Sequence, residues 1–110
     1  MSNHGPGFVV LYRWRLHPGL ESSFVEAWSS ITELLRDTGG SLGSRLHRGS
    51  DGIWYAYAQW ASDEVRQRAF SLSVDPAASA QMRAAVAESY PELVLESVAD
   101  FLVLPREAGT

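Results

Sequence analysis

The amino-acid sequence predicts an α+β domain: an antiparallel sheet with helices on one face, in the order β-α-β-β-α-β. Three observations predict it. Side chains alternate with period two in the strand segments. Two intervening segments switch to apolar spacings of three and four, which is helical. Glycine, proline and aspartate mark the junctions. The 110 residues suit one compact domain, expected over 7–104. The ends, 1–6 and 105–110, are small, polar or rich in glycine and proline, and are expected to be flexible tails.

The first strand is "GFVVLYRWRLHPG". Phe8, Val10, Tyr12, Trp14 and Leu16 share one face, and Val9, Leu11, Arg13, Arg15 and His17 the other. Pro18–Gly19 suits a type II turn, whose third position needs positive φ. A helix follows, with Leu20, Phe24, Ala27/Trp28, Ile31 and Leu34/Leu35 as its apolar stripe. Glu21 and Arg36 sit at the ends that the helix dipole favours, and Gly39–Gly40 end it. "SLGSRLHR" is a second strand, joined through a hairpin at Asp51–Gly52 to a third, "IWYAYAQW".

Ser62 is placed to cap the next helix, and Asp75–Pro76 reads as an N-cap followed by proline at N1. The second helical segment is therefore expected to break near Asp75. Its alanine-rich part, "AASAQMRAAVAESY", is expected to stop before Pro91, and "ELVLESVADFLVL" to form a long last strand. This order is the split βαβ, or ferredoxin-like, sandwich.

Such a sheet covers one face with helices and leaves the other open. The third and last strands are largely apolar on both sides, unlike a half-solvated sheet. A second layer is expected on the open face. With no spare helix in the chain, a second copy packed sheet on sheet supplies it, giving a homodimer.

Nine basic and thirteen acidic residues give a net charge of −4, which argues against a nucleic-acid surface. Zero cysteines exclude disulfides, thiolate catalysis and thiolate-held zinc or iron–sulfur clusters. No two histidines have metal-ligand spacing, so no metal site is expected. No apolar run approaches the ~20 residues needed to cross a bilayer, and the N-terminus lacks the regions of a signal peptide. A cytoplasmic protein without membrane contact is expected.

Trp54, Ala56, Ala58 and Trp60 share one face of the third strand, large, small, small, large. The alanines leave a low floor between the indoles. This suits a slot for a planar aromatic ligand beneath the helices. The pattern alone suits a close helix–sheet contact somewhat better. Trp28 and Phe70 on the helices would add aromatic walls. Tyr12 and Trp14 share a first-strand face; if it looks toward the helices, Tyr12 would bring a hydroxyl to the same space, the alternative being that it packs in the core. His47 could be an acid, base or polarising group at the mouth, or a hairpin histidine half in water. Arg66 and Arg83 could each stabilise an enolate or phenolate, or be solvated surface cations.

"VVLYRWRLHPG", "FVEAW", "GSLGSRLHRGSDG" and "YAQW" followed by "SDE" together resemble the antibiotic biosynthesis monooxygenases, which are dimeric α+β barrels. The resemblance runs from about Phe8 to Leu104. Within that family it is nearest to the anthrone-oxidising enzymes of aromatic polyketide pathways, which use O₂ with no metal, flavin or other cofactor. The resemblance implies functional roles for His47, Trp60 and, allowing one gap, Arg83. The strand asparagine and helix tyrosine of those enzymes fall at Ala56 and Arg66. The haem-degrading members use residues that fall at Tyr12, Ala69 and roughly Ser79, so haem degradation is not implied.

The expected function is a cofactor-independent monooxygenase acting on a planar phenolic or anthrone-like molecule. Tyr12, His47, Trp60 and Arg83 would be its catalytic set, with Trp14, Trp28, Trp54, Ala56, Arg66 and Phe70 binding substrate. The alternative is a non-catalytic dimeric binder of small aromatic ligands, which Ala56 and Arg66 favour.

Overall fold

The computed structural model describes residues 7–72 and 74–103. Its elements are β1 (Phe8–Leu16), α1 (Glu21–Thr38), β2 (Ser44–Arg48), β3 (Trp54–Trp60), α2 (Asp63–Leu72), α3 (Pro76–Ala85) and β4 (Val86–Leu95). The strands form one antiparallel sheet in the order β2-β3-β1-β4. This is the expected ferredoxin-like α+β fold, with the second helical segment split in two. The expected tails, 1–6 and 105–110, and Leu104 lie outside the described residues.

Burial follows the period-two pattern. Along β3 the residues Trp54, Ala56, Ala58 and Trp60 are buried, and those between them are half-exposed. Val10, Ala58 and Trp60 pack with Leu35 of α1 and Ala69 of α2. Leu16 and Trp54 pack with Phe24 of α1 and Ala85 of α3. The tryptophan–alanine face therefore looks toward the helices. Its small residues match large ones across the ladder: Tyr12 lies opposite Ala56, and Val10 opposite Ala58.

The capping signals work as their chemistry requires. Ser62 Oγ accepts from the Val65 N–H, and Asp75 Oδ1 accepts from the Ala78 N–H with Pro76 at the first helical position. Gly19 has φ 88°, the left-handed backbone that the turn after β1 needs. In the hairpin after β2, Asp51 accepts from the Ile53 N–H and from the Tyr55 hydroxyl. Those two bonds hold its carboxyl below the usual range, the tyrosine contributing most.

Gly39 matters through contact. A Cβ built there would stand 2.8 Å from Ala69 Cβ and 2.9 Å from the Leu35 carbonyl oxygen. The missing side chain lets α2 approach the end of α1. Gly39→Ala is expected to cost about 1–3 kcal/mol, as overpacking does. Chemical denaturation would measure it.

The end of the chain corrects the expectation. The last helix stops at Ala85, and β4 begins at Val86 instead of near Glu92. Alanine favours helix locally, but β1 offers an unpaired edge, and the backbone of Val86–Tyr90 pairs with Leu16–Arg13 along it. Pro91 falls within this strand. It is tolerated because β4 is an edge strand and because Pro91 and Glu92 together face the single residue Tyr12, in a bulge. Residues 96–103 form no strand, and Val98, Phe101, Leu102 and Val103 are exposed.

Among the described residues no helix is long and apolar enough to cross a membrane.

Candidate functional site

The helices do not seal the sheet. A cavity of about 540 Å³ lies between them. Tyr12, Trp14, Ala58 and Trp60 form its floor, with Ser44 at the start of β2. Trp28, Ile31, Thr32 and Leu35 of α1 form one wall, with Ser41 after its end. Ser79, Met82 and Arg83 of α3 form the other, with its cap Asp75. Phe70, Val74, Val86 and Ser89 complete the rim. The volume suits a small-molecule pocket, whose usual range is roughly 300–1,000 Å³.

The aromatic rings hold one another. Tyr12 stacks on Trp14, with centroids 6.0 Å apart and planes 10° from parallel. Trp14 meets the edge of Phe24 at 5.1 Å, and Phe24 meets Trp54 at 6.2 Å. Phe70 leans on Trp60 at 5.8 Å. The two walls are tied through Gln81 of α3, whose amide donates to the Ser23 carbonyl and to Glu26 Oε1.

Of the ten residues expected in the site, Tyr12, Trp14, Trp28, Trp60, Phe70 and Arg83 border this cavity. Four do not. His47 stands opposite Tyr55 in the β2–β3 ladder, and paired residues share a face. Its exposed side chain therefore lies on the side of the sheet away from the helices, not at the cavity mouth. Trp54 is buried behind the cavity, with Phe24 on one edge and the Arg48 guanidinium 4.9 Å from its ring. Ala56 is buried and makes room for Tyr12 opposite it.

Arg66 stands behind Tyr12. Its side chain is only 13% exposed, and its fork is filled. It donates to Asp63 Oδ1 at 3.1 Å, to Glu92 Oε2 at 3.1 Å and to the Tyr12 hydroxyl oxygen at 3.1 Å. Burial opposes its charge, but the bonds to Tyr12, Glu92 and Asp63 outweigh burial and raise its pKa. Burial raises the Tyr12 hydroxyl as well, and outweighs the hydrogen bond and charge of Arg66, which pull it down. Tyr12 is therefore a protonated donor at neutral pH.

One polar atom on the floor lacks a partner. Trp60 is 1% exposed, and its indole Nε1–H makes no hydrogen bond. Leaving such a donor unpaired costs about 1–3 kcal/mol. The atom is itself enclosed by protein and does not open to the cavity.

Sequence reasoning missed Asp75 and Ser79. With Arg83 they fall at i, i+4 and i+8, one face of α3 continued from its cap. That spacing is visible in the sequence. What hid it was the reading of Asp75 as a cap alone. Among the described residues no group of three or more histidine, aspartate or glutamate side chains could hold a metal.

Comparison with known proteins agrees with this architecture. The antibiotic biosynthesis monooxygenase family model matches residues 7–87. No curated protein matches the chain by sequence. A Caulobacter crescentus protein of the antibiotic biosynthesis monooxygenase type superposes with a TM-score of 0.72 at 18% identity, over 87% of this chain and 94% of the other. SnoaB, a cofactor-independent oxygenase from Streptomyces nogalater, superposes with a TM-score of 0.69 at 15% identity, over 86% and 95%. A Pseudomonas aeruginosa protein gives 0.69 at 17%, over 90% and 100%. At these identities the likeness carries the fold.

Proposed function

The chain belongs to the antibiotic biosynthesis monooxygenase family, and from that premise we propose that it is a cofactor-independent monooxygenase oxidising a planar phenolic or anthrone-like molecule with O₂. The observation that carries this reading is the aromatic cavity between sheet and helices, with Tyr12, Trp14, Trp28 and Phe70 around it and Arg83 and Asp75 beside them. It suits a flat ligand with an anionic oxygen. SnoaB, a structural neighbour, is a cofactor-independent oxygenase.

In the proposed reaction the substrate supplies the electrons. Removing a C–H proton from the carbon between two aryl rings gives an enolate, which passes one electron to O₂. A carbon–oxygen bond then forms to the reduced dioxygen, and a proton completes a hydroperoxide. Loss of water leaves the quinone carbonyl, so one oxygen atom enters the product and the other leaves as water. The site desolvates the substrate between Trp14, Trp28 and Phe70. Tyr12 holds its oxygen, and Arg83 in the α3 wall favours its anion.

Asp75 takes the C–H proton. Asp75 borders the cavity, and one of its carboxylate oxygens is engaged by the α3 cap. Asp75→Asn separates the two roles, because asparagine caps as well as aspartate. The variant is expected to keep its stability and to lose about 100-fold or more in turnover, the contribution of a positioned base. Wild-type turnover in this variant would remove Asp75 from the mechanism.

Aerobic incubation with an anthrone panel and no added cofactor tests the reading as a whole. Protein-dependent growth of quinone absorbance is the expected result. Ligand binding without any turnover would instead make the chain a non-catalytic binder of aromatic ligands.

We further propose that this domain, 7–104, acts in the cytoplasm as a homodimer through its open sheet face. Leu11, Tyr57, Leu93 and Leu95 on that face are partly or largely exposed in one copy. Light scattering is expected to give twice the 12.1 kDa chain mass. A monodisperse monomer at micromolar concentration would contradict the dimer.

A further inference from the structure

The Tyr12–Arg66 contact joins a cavity residue to a buried cation, and hydrogen-bond accounting gives it a direction. A tyrosine hydroxyl has one proton to donate and lone pairs to accept with. The Tyr12 oxygen accepts from Arg66 Nη1 at 3.1 Å. No acceptor for its own proton is found among the described residues. That proton is free for a ligand in the cavity that Tyr12 borders.

Arg66 has no such freedom. Nε is held by Asp63, and Nη2 by Glu92. Nη1 also reaches Glu92 Oε1 at 3.4 Å, and the Phe8 ring lies 5.7 Å from the guanidinium carbon. A planar fork anchored on two carboxylates aims its remaining N–H in one direction. The anchor comes from the bulge in β4, which sets Pro91 and Glu92 together opposite Tyr12. A regular ladder would place one residue there.

We propose that Tyr12 donates its hydroxyl proton to a ring oxygen of the bound aromatic ligand, and that Arg66, fixed by Asp63 and Glu92, is the positioning residue that orients and polarises that hydroxyl. This deepens the function proposed above, because it names the ligand chemistry: an aromatic ring bearing an oxygen that gains negative charge. Arg66 acts through Tyr12 and does not touch the ligand.

The test uses 1,8-dihydroxyanthraquinone, whose phenols change colour on ionising. It is already a quinone, so it reports binding with no turnover. Wild-type protein is expected to favour the ionised dye by about tenfold or more over water at fixed pH, one pKa unit's worth. Tyr12→Phe should abolish the preference while still binding the dye. Arg66→Met should remove most of it, and Glu92→Gln part of it. Glu92 is partly exposed, at 43% of its side chain, so Glu92→Gln keeps the comparison available if Arg66→Met folds poorly.

Three results would overturn the proposal. The dye does not bind wild-type protein; Tyr12→Phe ionises it as wild type does; or well-folded Arg66→Met and Glu92→Gln both match wild type. The monooxygenase reading fails separately, on the anthrone panel. Preserved dye ionisation with no turnover keeps the Tyr12–Arg66 pair and removes the oxidation. Quinone formation that Tyr12→Phe leaves untouched, with unchanged dye ionisation, does the reverse.

Discussion

Trp60→Phe is expected to raise stability by about 1 kcal/mol, because it removes a buried donor that no partner satisfies. Phenylalanine keeps most of the ring surface against Val10, Leu35 and Ala69 but has no N–H. Trp60→Ala is a different experiment. It empties the centre of the cluster and is expected to cost about 3–5 kcal/mol. Total stability for such a domain is on the order of 5–15 kcal/mol, so the alanine variant approaches unfolding. Denaturant unfolding of the two variants separates the two effects. A folded Trp60→Phe protein less stable than wild type would mean that the lost ring area outweighs the relieved donor.

Phe24→Ala is expected to be the most damaging change outside the cavity, at about 3–5 kcal/mol. Phe24 is 0% exposed, and its ring lies between Trp14 and Trp54. Deleting it removes the edge contacts of both indoles, and Trp14 is also part of the cavity floor. Ligand binding is therefore expected to weaken with stability, although Phe24 touches no ligand. Phe24→Leu restores much of the volume without the ring edges and should cost less, about 1–2 kcal/mol. Denaturant unfolding of the pair measures the difference. Equal losses would mean that the ring contacts add nothing beyond filled space.

The site was legible in part. The pattern Trp54-Ala56-Ala58-Trp60 assigns a face, and Trp60 borders the cavity while Trp54 does not. Nothing in the strand itself distinguishes them. Phe24 rises against Trp54 and fills that end, and only α1's placement decides this. His47 drew notice as a near-neutral group beside the hairpin, yet its register opposite Tyr55 turns it away from the helices. Arg66 and Tyr12 are 54 residues apart in sequence, and no local pattern couples them.

By itself the sequence determined the class of fold, the inward face of each central strand, and the caps at Ser62 and Asp75. These are local: side-chain period, turn chemistry and capping each act within a few residues. Tertiary structure decided the rest. Helix gives way to strand at Val86 because the edge of β1 supplies backbone partners that alanine-rich propensity cannot match. The β4 bulge then sets Glu92 beside Arg66, and Arg66 beside Tyr12. A period assigns a residue to a face, but neighbours on that face come from long-range pairing, and the chemistry of the site depends on neighbours.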